Sequence, residues 1–108
     1  MYDKRPDPFY RSARWRGLRR SALARDGWMC AECKRFGKRV EATAVHHVFP
    51  MNEFPEYRWQ GWNLTCLCGA CHDAMHDRNT NALTQRGVEL MKRTARRREM
   101  EMPLRYRE

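Results

Sequence analysis

Two kinds of metal-ligating residue interleave within one short stretch of this sequence, residues 66–76. Cys68 and Cys71 are separated by two residues, and the same spacing occurs upstream in Cys30 and Cys33. Two such pairs are typical of a zinc site with four thiolate ligands. The sequence therefore predicts a small fold organised around a structural Zn²⁺ ion, whose four thiolates leave no open position for a substrate.

The four histidines point to a second metal site. His72 and His76 are four residues apart, so on a helix their imidazoles share one face. With one ring from the consecutive pair His46 and His47, they would form a three-imidazole site open to water and phosphate. Because a strand alternates its side chains, the other ring of that pair is left for acid–base chemistry near neutral pH. Spacing does not tell which of the two is the base, and the alternative is that these histidines simply pack.

Charge indicates the kind of partner. The chain has 22 Lys and Arg against 13 acidic residues in a total of 108, a net charge of +9, so a polyanion such as nucleic acid is expected. No apolar run is long enough to span a bilayer, and the N-terminus lacks the apolar core of a secretory signal. We therefore expect a reducing cytoplasm and no membrane partner. In that compartment the cysteines are expected to be metal ligands, with Cys66 a small buried residue outside both pairs.

The chain is short enough for a single domain with a limited core that a bound metal would stabilise. Prolines among charges mark residues 1–8 as an extended tail. Residues 9–108 are expected to form one α+β domain, with a core motif at 30–78 and a basic C-terminal helix at 84–100. The expected elements are a helix over residues 10–25 with Ser12 as N-cap and Gly27 as its stop, and a strand over 40–48. An ordered loop or a short second strand is expected over 51–62, then a helix over 71–78 and a helix from the N-cap Thr84 to Met100.

The aromatic loop and the basic terminal helices can each be interpreted in two ways. The aromatic rings of the 51–62 loop are expected to join the core, with base stacking as the alternative. The arginines and lysines of the two terminal helices could contact a phosphate backbone or form solvated faces. The candidate nucleic-acid contacts are Arg11, Arg14, Arg19, Arg20, Lys92, Arg93, Arg96 and Arg97.

Together these motifs resemble a known family, the HNH or ββα-metal endonucleases. The matching residues are Cys30-x-x-Cys33, Val45-His46-His47-Val48-Phe49-Pro50, Asn63-Leu64 and Leu67-Cys68-x-x-Cys71-His72-x-x-x-His76. The upstream stretch, Phe9-Tyr10-x-Ser12-x-x-Trp15-x-x-Leu18-Arg19, is similar to the lead-in of small stand-alone phage-type members. The resemblance implies a compact ββα-metal fold and a nuclease that acts on double-stranded DNA.

The resemblance also implies residue roles. His47 would be the general base that activates water, and Asn63 would hold its loop. His46, His72 and His76 would bind one catalytic divalent ion, which stabilises negative charge on phosphorus and on the departing 3′-oxygen. The implied product carries a 5′-phosphate.

His46 stands where many family members have aspartate. Three neutral imidazoles bring no negative charge, whereas Mg²⁺ prefers oxygen ligands. We therefore expect activity with Mn²⁺, Co²⁺, Ni²⁺ or Zn²⁺ to exceed activity with Mg²⁺.

One active site per chain predicts that the protein nicks one strand of DNA. We also expect little sequence preference, a monomer or weak dimer, and a location in a bacterial or phage-infected cell. Two alternatives stand beside this expectation. The chain could be a non-catalytic zinc-stabilised module that binds nucleic acid. It could also be part of a phage packaging complex, with nuclease activity licensed by a partner protein.

Overall fold

A two-stranded antiparallel sheet carries the consecutive histidines. In the computed structural model, which describes residues 5–107, His46 pairs with Thr65 and His47 with Leu64. A short helix follows the second strand, so the predicted ββα unit and the α+β class are confirmed. None of the helices in the described range has the length and apolar character needed to cross a bilayer. The elements are α1 (Ala13–Arg25), α2 (Ala31–Arg35), β1 (Ala44–His47), β2 (Leu64–Leu67), α3 (Gly69–Asp73) and α4 (Gln85–Arg97), with 3₁₀ turns at Pro8–Arg11, Pro55–Tyr57, Gly61–Asn63 and Leu104–Tyr106.

Alternate residues of β2 enter two hydrophobic clusters. Leu64 and Cys66 pack with Trp15 and Leu23 of α1, and Cys66 is fully buried there, outside both cysteine pairs. Leu67 enters a second cluster, which joins the cysteine pairs to α4. Neighbouring residues of a strand face opposite sides of the sheet. One side of β2 therefore packs against the cluster of the N-terminal helix, and the other side packs against the cluster of the C-terminal helix.

Helix α1 begins later than predicted. Ser12 is its N-cap, as expected, and its Oγ accepts a hydrogen bond from the backbone N–H of Trp15 at 3.1 Å. Residues before Ser12 form the Pro8–Arg11 turn instead of a first helical turn, and Gly27, at φ 62°, follows the C-cap. Of the predicted extended tail, residues 1–4 lie outside the described range and Pro8 already begins this turn.

The predicted strand and the predicted histidine-bearing helix are both too long. Residues 40–42 pair with 28–30, not with β2, so the strand is reduced to four residues. Helix α3 ends at Asp73, and His76 lies beyond it in a bridge with Leu83. The expectation that His72 and His76 share one continuous helix is therefore wrong, because the chain turns at residues 77–81 to pair with itself.

Helix α4 braces the segment that precedes His76. Its N-cap is Thr84, as predicted, and it ends at Arg97, before the predicted Met100. The Thr84 hydroxyl donates to the Ala74 carbonyl at 2.6 Å, and the Thr84 N–H donates to the Met75 carbonyl at 3.0 Å. The start of α4 is thereby fastened directly to the end of α3.

The aromatic loop is ordered, and its rings join the core as expected. Phe54, Tyr57 and Trp62 surround the buried ring of Phe49, with centroids 5.5, 5.5 and 5.9 Å from it. Trp59 packs on the other side against Phe9, at 4.4 Å. These contacts favour a packing role for the loop over base stacking.

Candidate active site and metal centres

The four paired cysteines meet at one point. Sγ of Cys33 lies 3.8 Å from Sγ of both Cys68 and Cys71, and all four sulfurs, including that of Cys30, lie within 4.8 Å of one another. A tetrahedron with zinc–sulfur bonds of about 2.3 Å places its sulfurs about 3.8 Å apart. The group therefore has the composition and spacing to hold a zinc ion with no open coordination position.

Three imidazoles form a second group. The ligand atoms of His46, His72 and His76 lie within 4.8 Å of one another. His76 Nδ1 is 3.1 Å from the Asn81 carbonyl, which can only accept, so Nδ1 carries the proton and Nε2 keeps its lone pair. Orientation of one ring nitrogen by a carbonyl is the arrangement found in metal-binding histidines. The geometry suits a divalent ion with positions left open.

His46 is the ring of this group whose surroundings best fit a metal ligand. His46 is only 2% exposed. Among the buried side-chain nitrogen and oxygen atoms of residues 5–107, its Nε2 is the one without a hydrogen-bond partner. Burial, reinforced by His76 and His72, lowers the pKa of His46 to about 3. Burial also lowers the pKa of His72. These rings stay neutral, with lone pairs available for a metal, and a bound ion would satisfy the orphaned nitrogen.

His47 lies outside this three-ring group. Its Nε2 is 3.1 Å from the Arg58 carbonyl, so Nε2 donates and Nδ1 remains an acceptor. The Tyr10 hydroxyl is 3.4 Å from Nδ1, and the ring stacks on Trp15 with centroids 5.2 Å apart. Burial lowers the pKa of His47, although the bond to the Arg58 backbone opposes this shift. The arrangement keeps His47 neutral with one defined basic nitrogen.

Asn63 holds the loop that orients His47. The amide is fully buried; its Oδ1 accepts from the Phe49 N–H at 2.8 Å. Its Nδ2 donates to the carbonyls of Phe49 at 3.1 Å and Tyr57 at 3.3 Å. One side chain thus ties the end of β1 to the residue just before Arg58, whose carbonyl bonds His47.

All four histidines open onto one cleft of about 1530 Å³. Of the predicted contacts on α1 and the turn before it, Arg11 and Arg19 line this cleft. Arg14 places its guanidinium 4.0 Å above the ring of Trp59, and Arg20 is exposed on α1. One wall of the cleft is therefore basic and comes from the N-terminal part of the chain.

The predicted contacts on α4 lie elsewhere. In the described part of the chain the cleft is lined by no residue of α4. Arg93 is bonded to Glu32, and Arg97 lines a separate depression of about 470 Å³. Lys92 is partly exposed and Arg96 is exposed. Helix α1 thus borders the histidine cleft, whereas α4 does not.

Sequence reasoning missed the surroundings of His47. Tyr10 and Trp15 belong to the aromatic lead-in that the family resemblance singled out, yet nothing in their spacing placed them against this ring. The Arg58 contact is made by a backbone carbonyl, for which no side-chain pattern exists. These contacts depend on how the N-terminal helix packs on the sheet.

Comparison with known proteins agrees with this geometry. A sequence profile of the HNH endonuclease family matches residues 30–78, and no curated protein matches the chain. Among solved structures, the chain is similar to the HNH endonuclease of the deep-sea thermophilic bacteriophage GVE2, crystallised with a manganese ion. The two are 35% identical over 60% of this chain and 71% of that one, with a TM-score of 0.59. With both cysteine pairs and all four histidines inside the matched region, the chain belongs to the HNH endonuclease family and is a nuclease whose substrate is DNA.

Proposed function

We propose that this nuclease uses His47 as its general base, beside one divalent ion held by His46, His72 and His76. The observation that carries the proposal is the convergence of the three imidazoles, one with an orphaned buried nitrogen, in the cleft that also contains His47. When bound, the ion would supply positive charge that stabilises the transition-state phosphorus and the departing 3′-oxygen.

The proton acceptor is Nδ1 of His47. A water in the cleft loses its proton to Nδ1 as its oxygen bonds to phosphorus, and the P–O3′ bond breaks. The departing 3′-oxygen takes a proton from a second water molecule, so the products are a 5′-phosphate and a 3′-hydroxyl. The Arg58 carbonyl accepts from Nε2 at 3.1 Å and stabilises the imidazolium that forms. Asn63 acts as a positioning residue, because its amide fixes the chain on both sides of that contact.

The four cysteines are proposed to bind structural Zn²⁺. They come from the segment around α2 and from the start of α3, so the ion would fasten these segments at the edge of the sheet. Because His72 directly follows Cys71, this fastening would also set the position of the catalytic ligands. The zinc takes no part in bond breaking in this proposal.

The catalytic metal is proposed to be Mn²⁺, Co²⁺, Ni²⁺ or Zn²⁺ in preference to Mg²⁺. The three proposed protein ligands are nitrogens, and nitrogen donors favour these ions. The manganese ion in the phage GVE2 endonuclease crystals is in line with this choice. A nicking assay with each ion in turn tests it, and the highest rate with Mg²⁺ would rule it out.

We further propose that the protein nicks one strand with little sequence preference, as a monomer or weak dimer. Each chain has one such histidine cleft in the described range, so two strands require two encounters. Phage packaging proteins are proposed as partners that could raise activity. Adding them to the nicking assay, and measuring molecular mass by light scattering, tests these statements.

The central experiment incubates supercoiled plasmid with purified protein and each divalent ion. Wild-type protein is expected to convert the plasmid to the open circle, and His47→Ala to lose that activity by orders of magnitude. Duplex binding and zinc content are expected to stay unchanged in His47→Ala, because the cysteine cluster lies apart from this ring. Equal nicking by the variant would exclude His47 as the base.

A second variant separates the two metal centres. His72→Ala removes one imidazole of the proposed catalytic site and leaves the four thiols intact. We expect it to lose nicking, to bind Mn²⁺ more weakly by titration calorimetry, and to keep one zinc per chain. Undiminished Mn²⁺ binding would show that these rings do not hold the ion.

A further inference from the structure

A buried carboxylate lies next to the cysteine cluster. Glu32 sits on α2 and is only 5% exposed, and carboxylates are rarely buried unless paired. Its Oε2 accepts a hydrogen bond from Arg93 of α4 at 2.5 Å. Two further guanidiniums approach Oε1, Arg35 at 3.4 Å and Arg86 at 3.8 Å. Glu32 thereby gathers three arginines from α2 and α4.

This cluster has more positive charge than its carboxylate neutralises. In the described part of the chain, Glu32 is the acidic partner within 4.0 Å of all three arginines, and no other acidic group forms an ion pair with them. Three guanidiniums facing one carboxylate leave a surplus of two positive charges. The side chains of Arg35 and Arg86 are 47% and 49% exposed, so the surplus is presented to solvent.

Joining α2 to α4 does not explain all three arginines. The short hydrogen bond from Arg93, whose side chain is 23% exposed, already satisfies that role. Arg86 is beyond hydrogen-bond distance, and Arg35 is at its limit. Both keep donors free to meet a further anion, while the buried carboxylate attracts and orients them. Preorganised arginines of this kind suit phosphate oxygens.

The surroundings point to nucleic acid. The ring of Phe36 is 66% exposed and lies 5.5 Å from the Arg35 guanidinium, which combines an aromatic surface with the positive charge. Arg86 and Arg93 are seven residues apart on α4, and so lie on one helix face. In the described residues the catalytic cleft includes none of these side chains. The cluster is therefore a surface separate from the site of cleavage.

We propose that Arg35 and Arg86, oriented by Glu32 and anchored by Arg93, form a second site for backbone phosphates of the DNA substrate. The proposal rests on the proposed function, since it takes DNA as the ligand. The site would hold the duplex beyond the cleft without reading its bases, because guanidinium–phosphate contacts carry no sequence information.

The test is the salt dependence of DNA binding. Fluorescence anisotropy of a short labelled duplex, without added divalent ions, gives Kd over about 50–200 mM KCl. Each phosphate contact contributes about 0.9 to the slope of log Kd against log salt, so Arg35→Ala/Arg86→Ala should lower that slope by about 1.8. The matched control, Arg105→Ala/Arg107→Ala, removes the same charge from arginines paired with Glu53 and Glu101 and should leave the slope near wild type.

The single variant Arg86→Ala distinguishes a lost phosphate contact from a folding defect. Arg86→Ala leaves the Glu32–Arg93 bond in place, so its thermal melt should match wild type while the salt slope falls by about 0.9. An unchanged slope in both Arg86→Ala and the double variant would overturn the second phosphate site. An equal fall in the control double variant would overturn it as well, because the effect would then follow net charge alone.

Plasmid nicking by wild-type protein is measured separately. A fall of the salt slope in Arg86→Ala supports the second site whether or not nicking is observed. Absence of nicking by wild-type protein counts only against the proposed catalytic function. The two proposals can therefore fail independently.

Discussion

Substituting Gly87 with alanine tests how α4 supports the clustered histidines. Gly87 lies in the first turn of α4, and a Cβ added there would stand 2.6 Å from the Met75 carbonyl oxygen and 2.8 Å from Leu83 Cδ2. The first contact is with backbone, which no side-chain rotation relieves. The helix would have to move away from the segment that leads into His76.

The expected magnitude follows from two opposing effects. Alanine is favoured over glycine inside a helix by about 0.8–1.0 kcal/mol. Overpacking of a well-packed core costs about 1–3 kcal/mol. The contact at 2.6 Å places Gly87→Ala toward the upper part of that range. We therefore expect a net loss of about 1–2 kcal/mol and, at about 4–8 °C for each kcal/mol, a clearly lower Tm.

Gly17→Ala is the matched control. Gly17 lies in the interior of α1, and no atom comes within 4 Å of the position of an added Cβ. Only the helix preference operates there, so this variant should gain about 0.8–1.0 kcal/mol. Circular dichroism melts of zinc-loaded protein measure both changes, and they are expected to have opposite signs.

The Mn²⁺ requirement for nicking should change in Gly87→Ala and not in Gly17→Ala. Movement of Met75 displaces the neighbouring His76, so Gly87→Ala should need several-fold more Mn²⁺ for half-maximal nicking, whereas Gly17→Ala should need the wild-type amount. The reasoning is refuted if Gly87→Ala melts at or above the wild-type temperature. It is also refuted if the variant is destabilised while its Mn²⁺ requirement is unchanged.

Three further outcomes are expected. Asn63→Ala leaves the buried N–H of Phe49 without its acceptor and should cost about 1–3 kcal/mol in a urea titration, with nicking reduced. Ser12→Ala removes the cap of α1, which accepts from Trp15 and donates to Phe9, and should lower stability by about 1 kcal/mol by the same titration. Removal of zinc with a chelator should unfold the protein, seen as loss of helical circular dichroism, because a small core depends on its metal. Wild-type stability in either variant, or an unchanged spectrum after chelation, would contradict these expectations.

Much of the site was visible in the sequence because metal chemistry restricts both residue type and spacing. Four cysteines in two close pairs are typical of a zinc site, and the structure brings those four sulfurs together. Likewise, Ser12 and Thr84 were predicted as N-caps, because a hydroxyl at that position satisfies free backbone donors locally. Such signals act over a few residues and need no knowledge of distant contacts.

Only the tertiary structure decided where the elements end and which rings meet. Spacing left His46 and His47 equivalent, and the packing of the sheet puts His46 with the other imidazoles and His47 against Trp15. His76 joins them from outside α3 because it pairs with Leu83, just before the start of α4. These contacts join residues far apart in the chain, and their energy comes from burial and shape, which local periodicity does not encode.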